Sequence, residues 1–331
     1  VTVAAIASRQ RTLDAVVATA RRNTWTIGLL GFLALLLAFT KLIQPSYGVA
    51  AVQGLGIGVL PLAFAAVAQA VAVIGGGIDL SIGSMMALIS VVTATAMQGQ
   101  GEEFGVAVVV AVLLLGLALG AVNGALVVIT RVPDIVVTLA MSFVWAGVAL
   151  LVRAAPGGGA SHWLMGLATG SFANEWVPKA AVVLVVTAAI IWIPIRGSRL
   201  GLSIYAIGSN RPAAFRSGVA VGRTRFLAYV LTGLFAAFAG LSLTASTGIG
   251  TPVPGPYTLE SVAAVVLGGV SLAGGRGGVF GPIVAVVVLQ LIATDMTFLN
   301  MDSNLALVAQ GVILIGVVMF GSLIQLRRAR A

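Results

Sequence analysis

The stretch VIGGGIDLSIGS, Val73 to Ser84, sets three consecutive glycines and then Asp79 inside a very apolar run. Two readings compete. In one, the glycines end a helix and Asp79 or Ser81 caps the next, meeting its free N–H groups. In the other, a membrane helix is broken part-way, which marks a transport pathway. The choice depends on the solvent around the segment.

Composition identifies that solvent. Of 331 residues, 60% are hydrophobic and only 8% are charged, whereas soluble domains carry about a quarter charged residues. A soluble fold of this length could not hide so much apolar surface, so the solvent is lipid. Only helices or closed barrels satisfy the backbone there, and no barrel-like alternation is visible. Ten apolar runs read as spans, at roughly 24–43, 50–74, 80–97, 104–130, 134–153, 178–195, 224–246, 257–271, 278–298 and 304–324. The expected fold class is therefore an all-α polytopic membrane protein of about ten transmembrane helices.

The net charge is +9, and the basic residues cluster by loop. With the N-terminus in the cytoplasm, 15 of the 18 Lys and Arg residues fall on the cytoplasmic side. Only Lys41, Arg153 and Lys179 fall outside. This positive-inside bias places both termini in the cytoplasm and accounts for the charge without a nucleic-acid partner. The chain divides into residues 1–23, a surface helix or a frayed tail; 24–324, the transmembrane domain with a cytoplasmic loop at 196–223; and 325–331, a basic tail. The first residue is Val1 rather than Met, consistent with a trimmed start. Thr24 to Ile43 lacks a small-residue cleavage site, so no cleavable signal is expected.

Much chemistry is missing. There is no cysteine. The single histidine, His162, has no partner for a metal site and reads as a loop residue. Neither lysine follows a glycine, so no phosphate-cradling loop is present. Glu260 and Asp295 lie near span ends, which leaves Asp79 as the main interior ionisable group. No catalytic residue is expected, and the chain reads as a passive pore or as part of a machine whose motor is another polypeptide.

The longest cytoplasmic loop, Arg196 to Phe226, contains helix signals. Asn210 can cap a short helix over Pro212 to Ser217 that stops at Gly218. Ala213 and Ala214 would allow a partner close approach. Such a peg docks a partner or is an amphipathic connector whose arginines grip lipid phosphates.

Several stretches resemble one family. GGGIDLSIGS, YAIGSNRPAAFRSGVAV (Tyr205 to Val221), AAVVLGGVSLAGGRGGVFG (Ala263 to Gly281) and AVNGALVVITRVPDIVVTLAM (Ala121 to Met141) are similar, in order, to signatures of membrane permeases of ATP-binding-cassette (ABC) monosaccharide importers. The resemblance implies a type II, vitamin B12 transporter-like fold and a core of two permease subunits, identical or related. It further implies a cytoplasmic ABC ATPase that carries the ATP and Mg, and an extracytoplasmic sugar-binding protein. It places ATPase coupling on Gly208, Asn210, Pro212, Ala213, Ala214, Ser217 and Gly218. It marks a signature and gate region at Gly76, Gly77, Asp79, Ser81, Gly83, Ser84, Gly268, Gly269, Ser271, Gly274 and Gly275. The outer loop after helix five departs from the pattern: it is rich in glycine and poor in charge.

A neutral, hydroxyl-rich substrate needs few charges along its path. Gln69, Asn123, Thr138 and Ser142 are candidates, each also readable as packing glue. An ion-coupled secondary sugar transporter and a non-transporting membrane partner of an ATPase are the alternatives. For the opening stretch, residues 82–97 span about 24 Å as a helix, short of the roughly 30 Å hydrocarbon core. A start at Leu80, capped by Asp79 in a buried re-entrant turn, recovers part of the deficit. Gly76 to Ser84 also aligns without gaps on Gly268 to Arg276, a second break.

Overall fold

The computed structural model describes residues 24–253 and 255–302, with seven further positions between 305 and 319. Segment 1–23, the tail 325–331 and most of the span expected at 304–324 lie outside the described residues.

The chain runs through α1 (Thr24–Ile43), α2 (Val49–Ile74), α3 (Ile82–Met97), α4 (Phe104–Thr130) and α5 (Asp134–Val152). There follow a short α6 (His162–Ala168), a ribbon of β1 (Ser171–Phe172) and β2 (Asn174–Pro178), and α7 (Lys179–Gly197). The arginine-rich segment forms α8 (Arg199–Ser209) and α9 (Arg211–Arg216), before α10 (Val221–Thr247), α11 (Tyr257–Leu267) and α12 (Phe280–Phe298). Among the described residues seven helices, α1, α2, α4, α5, α7, α10 and α12, are long and apolar enough to cross a membrane.

The elements long enough to cross a membrane are all helical, as expected, and β1 and β2 form only a short antiparallel ribbon in the glycine-rich loop after α5. One expectation needs correction. His162 is not a loop residue; it opens α6, with Nδ1 2.7 Å from Glu102 Oε1. That contact with His162 holds the Glu102 carboxyl below the usual carboxylate range.

The centre is α2. Every residue from Val59 to Ile74 is buried, as expected for a helix apolar all round. Helices α3, α10, α11 and α12 pack against it. Helices α1, α4, α5 and α7 turn large apolar side chains outward, among them Leu42, Ile129, Phe143, Leu151 and Ile190. In lipid that face costs nothing.

Helices α3 and α11 are short, with 16 and 11 residues. At the helical rise they reach about 24 and 16 Å. The span expected at 257–271 thus stops at Leu267. Each short helix adjoins a glycine break: α3 follows residues 75–81 and α11 precedes residues 268–279.

The closest helix crossing is built on glycine. Gly116, Gly120 and Gly124 line one face of α4, at the i, i+4 spacing that lets membrane helices touch backbone to backbone. Gly116 and Gly120 meet α10 at Gly233, where a Cβ would lie 2.7 Å from the Gly120 nitrogen and 2.8 Å from its Cα, and Gly124 meets it at Phe226 and Tyr229. Replacing Gly120 with Ala should lower stability by about 1–3 kcal/mol through overpacking. Gly147→Ala is the control, because nothing lies within 4 Å of its added carbon. Thermal unfolding in detergent checks the pair: a lower midpoint is expected for Gly120→Ala only.

Candidate functional site

The two glycine breaks share one helix-ending geometry. At the end of α2, Gly75 N donates to Val71 O at 3.2 Å, Gly76 N to Val73 O at 2.9 Å and Gly77 N to Ala72 O at 3.0 Å. At the end of α11, Gly268 N donates to Ala264 O at 2.7 Å, Gly269 N to Val266 O at 3.0 Å and Val270 N to Val265 O at 3.1 Å. Both are glycine-terminated helix ends with the second glycine left-handed, Gly76 at φ +78° and Gly269 at φ +80°. Matching the bonds superimposes Gly75 on Gly268. The ungapped sequence alignment, which set Gly76 on Gly268, is therefore shifted by one residue. Identity of letters favoured the wrong register, because a glycine's role lies in its φ and its bonds.

After the first break the chain climbs along α5 and α4 on polar contacts. Gly77 packs against Asp134 and the Tyr229 hydroxyl; a Cβ there would lie 2.8 Å from that hydroxyl. One rung on, Thr138 Oγ1 donates to Ile78 O at 3.2 Å and accepts from Leu80 N at 3.1 Å. Next, Asn123 Nδ2 donates to Ser81 Oγ at 2.7 Å, while Trp145 Nε1 donates to Asn123 Oδ1 at 3.2 Å. Gly83 N donates to Thr258 Oγ1 at 3.0 Å, which joins the start of α3 to α11. Ser84 Oγ donates to Ser81 O at 2.9 Å.

Asp79 is fully buried in this turn, but it is not the cap of a helix starting at Leu80. The helix starts at Ile82, and Ser81 is its boundary residue. Asp79 Oδ1 instead accepts from Ser81 N at 2.8 Å and from Ser81 Oγ at 2.6 Å. Asp79 Oδ2 is buried with no hydrogen-bond partner among the described residues.

Of the candidate pathway residues, Asn123 and Thr138 are fully buried and belong to this ladder. Gln69, also buried, lies apart on α2, with neither amide atom hydrogen-bonded among the described residues. Ser142 folds back onto its own helix, donating to Leu139 O at 2.6 Å.

The second break folds onto the first. Gly274 N donates to Ser271 O at 2.9 Å, and Gly275 N donates to Ile74 O at 2.9 Å. Gly268 packs on the Gly281–Pro282 backbone that opens α12, and Trp25 Nε1 on α1 donates to Leu267 O at 2.7 Å.

The arginine-rich segment lies against both breaks. Asn210 N donates to Ala206 O at 3.1 Å, closing α8, and its Oδ1 accepts from Ala213 N at 3.0 Å, capping α9. Pro212 sits in the first turn, where its missing N–H is no loss. The helix runs over Arg211–Arg216, one residue earlier than expected. The chain then turns at Gly218, which has φ +82° and accordingly favours glycine. Ala214 is buried, while Pro212, Ala213, Ser217 and Gly218 are exposed. Phe215 is 72% exposed.

Sequence reasoning missed Phe215, Thr258, Trp145 and the Asp134–Arg225–Tyr229 cluster. In that cluster Asp134 pairs with Arg225, and Tyr229 donates to Asp134 Oδ2 at 2.8 Å. A signal for Asp134 was present: an acidic residue follows Pro133 at a helix start, where the dipole favours it. No group of three or more His, Cys, Asp or Glu side chains among the described residues could hold a metal ion.

The comparisons with known proteins fit this geometry. A family model described as branched-chain amino acid transport system / permease component matches residues 51–319. The chain belongs to this family of transport-system permeases. The permease is 32% identical over 263 residues to the ribose import permease protein of Escherichia coli, covering 76% of this chain and 79% of the relative. It is 30% identical over 255 residues to the D-allose transport system permease protein of the same organism, covering 76% and 77%. It is 29% identical over 280 residues to the autoinducer 2 import system permease protein of Yersinia enterocolitica, covering 83% and 82%. No solved structure matches it. With seven helices of spanning length, it is a multi-pass inner-membrane protein.

The Asp79 turn makes a direct prediction. Asp79→Ala leaves Ser81 N–H buried without its acceptor and should cost about 1–3 kcal/mol. Asp79→Asn retains an acceptor oxygen and should match or exceed the wild type. Thermal unfolding of the two variants checks the order; equal losses would contradict it.

Proposed function

We propose that the permease is the membrane subunit of an ABC importer that moves a monosaccharide or related small polyol inward. Two such subunits, identical or related, form the core, each with the ten-helix type II arrangement and both termini in the cytoplasm. A separate cytoplasmic ATPase, holding the ATP and Mg, docks on α9 and the adjoining residues Gly208 to Gly218. An extracytoplasmic sugar-binding protein delivers the substrate. Closure of the ATPases drives the two subunits between inward-open and outward-open states.

The observation that carries this reading is the α8–α9 corner: a short helix, capped at one end and ended by glycine at the other, that projects Phe215 and leans on two broken helices. An exposed aromatic anchor in an arginine-rich segment suits a partner's pocket with an acidic rim. The names of the relatives support the sugar class, since ribose and D-allose are both neutral monosaccharides. The gate region is the pair of breaks, and Asn123 and Thr138 help to hold its turn.

Proteoliposomes containing the permease and its ATPase should accumulate labelled sugar only with hydrolysable ATP. Phe215→Asp should weaken capture of the ATPase about tenfold or more, the scale of an interface anchor. Uptake that ignores ATP would contradict the reading and favour a gradient-driven or passive route.

A further inference from the structure

Three backbone segments that are remote in sequence meet at the arginine-rich end: residues 74–77, 208–211 and 274–277. Gly208 lies at the centre. A side-chain carbon there would fall on the Ile74 carbonyl oxygen and 2.6 Å from Gly275 N. A Cβ on Gly76 would lie 3.3 Å from Gly208 Cα, and one on Gly274 would lie 2.9 Å from Gly76 Cα. The contact is therefore backbone on backbone, without a compliant side-chain layer between.

Two side chains fasten it. Arg211 Nη2 donates to Gly76 O at 2.8 Å, across 135 residues of chain. Tyr205 OH donates to Gly277 O at 2.8 Å. Arg211 is the first residue of α9 and Tyr205 lies on α8, so each helix of the corner holds one break. A charged donor on a carbonyl makes the stronger tie. On its far side the first break rests on Asp134 and Tyr229 at Gly77. A continuous chain of contacts thus runs from α9 through Arg211 to Gly76, the left-handed residue of the helix end, and on to the Ser81–Asn123–Trp145 ladder.

We propose that Arg211 is a positioning residue for energy coupling: its bond to the Gly76 carbonyl makes the first glycine break move with α9. This deepens the importer reading and rests on it. Tyr205 gives the second break the same linkage.

The test uses the permease with its ATPase in proteoliposomes, with sugar uptake and ATP hydrolysis measured on the same vesicles. Arg211→Met keeps the aliphatic stem and removes the donors; Arg211→Lys keeps the charge and a donor. The expected result is that sugar moved per ATP hydrolysed falls about tenfold in Arg211→Met, the scale of one charged hydrogen bond. Arg211→Lys should recover part of that ratio, and Tyr205→Phe should fall less. If Arg211→Met fails to yield folded protein, Arg211→Leu, which also lacks a donor, carries the same expectation. An unchanged ratio overturns the proposal, whether both rates hold or fall together, and leaves the importer reading standing. ATP-independent uptake by the wild type overturns that reading and the proposal with it.

Discussion

A chain broken between packed helices must still satisfy its buried backbone polar groups. The bond from the Gly275 amide to the Ile74 carbonyl, 2.9 Å long, meets that constraint for both breaks at once. The second break supplies the donor that the end of α2 lacks. Such a bond needs backbones nearly in van der Waals contact, hence the glycines at 76, 208, 274 and 275. The Arg211–Gly76 and Tyr205–Gly277 bonds satisfy further carbonyls in the same junction. The arrangement of α2, α3, α8, α9, α11 and α12 follows from keeping these segments together.

The same requirement shapes the rest of the first break. Between Gly77 and Ile82 the chain has no helical ladder of its own. Its polar groups are met by Thr138, Asp79 and Asn123 in turn, and Thr258 takes the Gly83 N–H in the first turn of α3. Asn123 and Thr138 therefore do structural duty within one subunit, with their polar atoms already engaged. Asp79 belongs to the turn itself: its carboxylate holds Ser81 and so fixes where α3 begins.

Much of this was legible in the sequence, and the limits are informative. Composition and run length gave the membrane class and the positions of nine described helices, because hydrophobicity acts locally and reads directly. The Asn210 cap and the Gly218 turn were legible for the same reason: a cap is set by a few neighbouring residues. The register of the two breaks was misread by one residue, because the helix ending depends on φ at Gly76 and Gly269. Gly116, Gly120 and Gly124 stood at a recognisable spacing, but their partners on α10, Gly233 among them, are about a hundred residues away. The tie between Arg211 and Gly76 has no sequence signature at all. An arginine in a basic loop looks like every other one until the fold brings a carbonyl to it.

The most direct test of the account is hydrogen exchange at the Gly275 amide in the detergent-solubilised permease. If the breaks and the α8–α9 corner form one bonded junction, this amide, although outside any helix, exchanges at least about a hundredfold slower than an open loop amide. Gly208→Ala, whose added carbon forces Ile74 and Gly275 apart, then removes that protection. Exchange at the open-loop rate in the wild type would contradict the account, since the two breaks would then be separate loops.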